Sequence, residues 1–161
     1  MRKTLVALIA LLLVVAPALL AGDTDTITVS YEVQAINELA ISGGPVSLII
    51  NSATAGSEPD DVTDSSTATY ALTTNGTNKK LTARVDLAMP AETHLYLTLV
   101  APTGATSAGE QELTETAVSV VTSIATVAES ALGMTFRFSA TVDAGIIATA
   151  NRTVTLVLTD G

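Results

Sequence analysis

Glu58, Asp60, Asp61 and Asp64 crowd a single stretch, interleaved with the hydroxyls of Ser57, Thr63, Ser65 and Ser66. Hard oxygen donors at this density are the raw material of a calcium site, so calcium is the one cofactor the chain suggests. The spacing is not that of an EF-hand loop, and exposed carboxylates in such a loop otherwise stay hydrated. His94 is the only histidine and there is no cysteine, so no imidazole or thiolate partner exists to share a metal or to build a Cys-His pair. Serines are numerous, but none stands in a Gly-x-Ser-x-Gly turn, and no Gly-rich phosphate loop occurs. A Ser-His-Asp arrangement would have to recruit His94, which heads an alternating run rather than a loop. The chain is accordingly read as non-enzymatic. Asn75-Gly76-Thr77 and Asn151-Arg152-Thr153 satisfy the glycosylation sequon, which makes Asn75 and Asn151 candidate acceptors.

The elements that must position these residues follow from composition and pattern. Hydrophobic residues make up 48% of the 161 positions but aromatic ones only 3%, so a core must be built from Val, Leu, Ile and Ala. Threonine is abundant, and its β-branched side chain favours strands. The net charge is −9; without Arg2 and Lys3, five basic residues face sixteen acidic ones. Such a surface is a poor partner for nucleic acid or anionic membrane. Arg2 and Lys3, the uncharged apolar run 5–15, and the small residues Ala16, Ala18 and Ala21 read as a cleaved secretory signal over 1–21. The mature domain is then 22–161, secreted to the cell surface or beyond, with no further stretch long enough to span a bilayer.

Period-two alternation dominates that domain. Runs at 26–34, 38–41, 46–50, 68–74, 81–87, 94–100, 136–142 and 153–159 each place apolar residues on one face. Gly43-Gly44-Pro45 reads as a bend between short strands. Asn75-Gly76-Thr77-Asn78 reads as the turn of a hairpin joining 68–74 to 81–87, because Asn and Gly tolerate positive φ. Asp143-Ala144-Gly145 turns a second pair, 136–142 with 153–159. Ile124, Val127, Ala128 and Ala131 fall at helical spacing and suggest a short helical turn stopped by Gly133. Seven to nine short strands, mostly apolar on one face, suit antiparallel sheets covered on one side. The expected architecture is a single all-β antiparallel sandwich, Ig-like or pilin-like.

The run 26–34 carries Ile27, Val29, Tyr31 and Val33 on one face, with Thr28, Ser30, Glu32 and Gln34 on the other. It is either the first strand of its own sandwich or a strand for exchange between subunits. In an exchange, backbone hydrogen bonds supply affinity and alternate side chains fill pockets. Leader, detached N-terminal strand, cysteine-free Thr- and Ala-rich body and alternating C-terminal strand together resemble the subunits of secreted surface fibres. The chain departs from chaperone–usher pilins, which carry a disulfide and a C-terminal aromatic where this one has Leu156, Val157 and Leu158. The resemblance implies a structural protein that polymerises with copies of itself through Ile27, Val29, Tyr31 and Val33. The alternative is a monomeric, adhesin-like binding module, with calcium as its cofactor.

Overall fold

The structure, a computed structural model, describes residues 23–161; the leader read at 1–21 lies outside them. The chain divides into two units, Met1–Glu32 and Val33–Gly161. In the first, residues 23–32 are described, and none of these enters a ladder. The second is an all-β sandwich of ten strands: β1 Asn37–Gly43, β2 Val62–Asp64, β3 Ala68–Thr74, β4 Lys79–Val85, β5 Thr93–Leu99, β6 Thr106–Ser107, β7 Gln111–Glu112, β8 Val118–Ile124, β9 Val127–Ala140 and β10 Val154–Asp160. A single 3₁₀ turn, Val142–Ala144, lies between the last two.

Every pairing is antiparallel. One sheet runs β1-β3-β9-β5-β7, with β2 also against β9, and the other runs β10-β4-β8-β6. Alternation does what the sequence implies. Leu95, Leu97 and Leu99 of β5 and Leu81, Ala83 and Val85 of β4 are buried, and so are Tyr70 and Leu72 of β3. With Val120, Val121, Ile124, Met134 and Phe136 they form one core that draws on both sheets, almost wholly aliphatic. Burial of apolar surface, the dominant and non-directional term, holds the two sheets together across this core.

Four local expectations are corrected. β3 and β4 do not form a hairpin: they lie in different sheets, β3 against β1 and β9, β4 against β10 and β8. The Asn-Gly-Thr-Asn link is an arch between layers, and its turn residues bind other segments. The Asn75 side chain accepts from Ile36 N and donates to Gln34 O, both at 2.8 Å. Asn78, at φ +51°, accepts from Gly161 N through its carbonyl. Likewise 153–159 does not return on 136–142, because β9 and β10 also belong to opposite sheets. The helical turn is absent. Between Glu129 and Leu132, β9 carries one residue more than β3 does between Leu72 and Tyr70, and Ala131 absorbs it at φ +57°. A bulge of this kind interrupts the period-two pattern and gives it a false helical spacing. Finally, 46–50 alternates in burial, with Val46 and Leu48 against the core, yet joins no ladder.

Tyr70 adds a pH dependence to this core. It is 1% exposed and its hydroxyl donates to the Val100 carbonyl. Burial, reinforced by the charge of Glu129, pushes the phenol up from 10 to about 12. The unfolded chain therefore releases this proton at lower pH than the folded one. The stabilisation is complete below pH 10, declines as pH rises, and is lost above about 12. The thermal midpoint should fall across that window. The difference in ultraviolet titration between the wild type and Tyr70→Phe should show a phenol ionising late or only on unfolding; ionisation near 10 in folded protein would contradict it.

Candidate functional site

The stripe singled out in the sequence is bare. Ile27, Val29, Tyr31 and Val33 are 88%, 72%, 94% and 79% exposed, and 26–34 joins no ladder among the described residues. Four large apolar side chains at alternate positions of one short segment are not the scattered exposure common on soluble surfaces. The root of the segment is held. Asn37 pairs with Thr74 at the end of the β1–β3 ladder, and Asn75 N donates to Ile36 O, continuing the register by one residue. The Asn75 side chain then bonds Ile36 and Gln34 as a further strand residue would. Asn75 is thus exposed but already engaged at both ends of its amide, whereas Asn151 is exposed and accepts from Arg152 through its backbone carbonyl.

The acidic residues disperse. Asp60 accepts from Ser52 Oγ at 2.9 Å, Glu58 from Val142 N at 2.7 Å, and Asp61 from Arg137. Asp64 caps the turn into β3 by accepting from Ser66 N and from both the amide and the hydroxyl of Thr67, which holds its carboxyl below the usual range. Each carboxylate faces its own protein donor, and among the described residues no three His, Asp or Glu side chains converge as metal ligands would.

His94 stands on β5 with Nδ1 2.6 Å from Glu112 Oε1 of β7. It borders a shallow cleft that Ala88, Pro90, Thr93, Glu112 and Thr114 help to line. The hydroxyl of the adjacent Thr93 donates to the Pro90 carbonyl at 2.7 Å. Among the described residues the imidazole is hydrogen-bonded to Glu112 and to no Ser or Thr hydroxyl.

One feature escaped the sequence reading. Arg137, on the outer face of β9, bonds Glu110 through both Nε and Nη2, at 2.8 and 2.6 Å, and Asp61 through Nη1. Its guanidinium carbon lies 3.9 Å from the centre of the Tyr96 ring. The bidentate contact holds the Glu110 carboxyl below its ordinary range. The side chain ties the approaches to β2 and β7, both very short, across β9 and β5, and so fastens that flank of the sheet. Alternation assigned position 137 to the outer face, but nothing local announced that residues 27 and 76 positions away would meet there. No family model, curated protein or solved structure matches the chain.

Proposed function

We propose that this is a secreted structural protein of the cell surface or extracellular matrix, a fibre subunit that assembles by adding its N-terminal strand to the next copy. The observation that carries the reading is the uncovered stripe Ile27, Val29, Tyr31 and Val33 on a segment with no ladder of its own. Burying four such side chains is worth on the order of 6–12 kcal/mol before the cost of ordering them. That gain goes unused while the segment stays in water. A head-to-tail contact of this kind does not close on itself, and repetition makes a filament. Export is supported by the leader pattern at 1–21, and the acidic, cysteine-free composition suits an extracellular body that relies on its core alone.

Electron microscopy of the exported protein, compared with a variant lacking 23–34, tests this. Filaments from the full chain and dispersed particles from the shortened one are the expected result. Dispersed particles from both overturn it and leave the monomeric binding module as the better account; filaments that survive the deletion overturn the role given to the N-terminal strand.

A further inference from the structure

On the strand-addition reading above, we infer that the arm of one copy seats on the free edge of β10 in the next, guided by Lys80 and Arg84, and widens the β10-β4-β8-β6 sheet by one strand.

The sheets offer few edges long enough. β2, β6 and β7 have two or three residues, whereas β1 and β10 have seven each and end their sheets. The alternating run 26–34 is long enough to cover either one. β10 is open on its core side. Val154, Leu156 and Leu158 lie opposite Val85, Ala83 and Leu81; the β4 residues are fully buried, and those of β10 only half so. A strand laid along β10 with Ile27, Val29, Tyr31 and Val33 inward would complete that cover. β1 presents a comparable inner face, with Leu39 half-buried and Ile41 50% exposed, so apolar surface alone does not choose between them.

Charge does. Of the five basic residues at 23–161, Lys79 pairs with Asp160, Arg137 with Asp61 and Glu110, and Arg152 donates to the Ala88 carbonyl. Lys80 and Arg84 make no ion pair among the described residues. They stand opposite Thr159 and Thr155, on the outer face of the sheet that β10 ends. With the apolar side of the arm turned inward, Glu32 turns outward onto this same face. Second-neighbour strands are about 10 Å apart. A glutamate and a long basic side chain reaching across the small Thr155 or Thr159 close that gap. On β1 the outer face carries Glu38, and β3 beside it has no cation, so Glu32 would meet a like charge there.

Two measurements on the full exported chain test the assignment. K80E/R84E should raise the critical concentration for filament formation roughly fivefold or more, and adding E32K should restore it, since opposite charges on neighbouring strands favour pairing and like charges oppose it. The chain has no cysteine, so disulfide mapping is unambiguous. Ser30→Cys in one copy should cross-link to Thr155→Cys, Val157→Cys or Thr159→Cys in another, and not to Ala40→Cys or Ser42→Cys of β1. Filaments that need the arm but are indifferent to K80E/R84E and cross-link at β1 would overturn the β10 seat and leave strand addition standing. A wild type that forms no filaments overturns both.

Discussion

Gly43→Ala is expected to destabilise the protein by about 2–4 kcal/mol, or to strip the end of β1 from its sheet if that is cheaper. Gly43 closes β1 opposite Ala68, with φ at +113°, a region that side chains rarely enter. A Cβ built there would lie 2.0 Å from the Thr67 carbonyl oxygen, which is backbone and has little freedom to yield. Strain and overlap therefore add at one position. Gly44 is the internal control: a Cβ there meets nothing within 4 Å and its φ is not positive, so Gly44→Ala should stay within about 0.5 kcal/mol of the wild type. Urea midpoints of the two variants, with amide exchange along β1, separate global loss from local release. Equal midpoints together with unchanged amide exchange along β1 would contradict the strained geometry.

Leu97→Ala should cost about 3–4 kcal/mol, near the middle of what buried leucines lose. Leu97 is fully buried in the middle of β5, between Phe136 of β9 and Gln111 of β7. The neighbouring leucines of β5 and Met134 are fixed by their own ladders, so the space left by three carbons is not readily refilled. Leu87→Ala, at a side chain 58% exposed, should cost under about 1 kcal/mol in the same urea series. A loss below about 1.5 kcal/mol at Leu97 would mean that the two sheets close around the vacancy more freely than native packing allows.

The contrast between these positions and the arm separates two uses of apolar residues in one chain. Leu97 and Tyr70 are covered within the sandwich, whereas Ile27 and Tyr31 have the same alternating context and remain bare. Nothing in the local pattern distinguishes them. The arm differs in what its neighbours do: Asn75 takes the backbone of Gln34 and Ile36 and ends the β1–β3 ladder there, so that pairing stops before the stripe begins.

Alternation by itself determined that the body is an all-β sandwich, that its core is aliphatic, and which side of most strands faces inward. Leu95, Leu97, Leu99, Leu81, Ala83, Tyr70 and Leu72 are buried as the period-two pattern requires. This much is local, because the pleat sends successive side chains to opposite faces wherever the strand is placed. Which strand lies beside which is not local. β3 and β4, joined by the strongest hairpin signal in the chain, separate into two sheets, and so do β9 and β10. An apolar face fits the inner surface of either sheet equally well, so turn residues alone do not select the partner. The choice falls to the closing of both layers over one core. The same closure brings Glu110, Asp61 and Tyr96 to Arg137, sends the four carboxylates of the acidic loop to separate donors, and leaves β10 as a free edge beside Lys80 and Arg84.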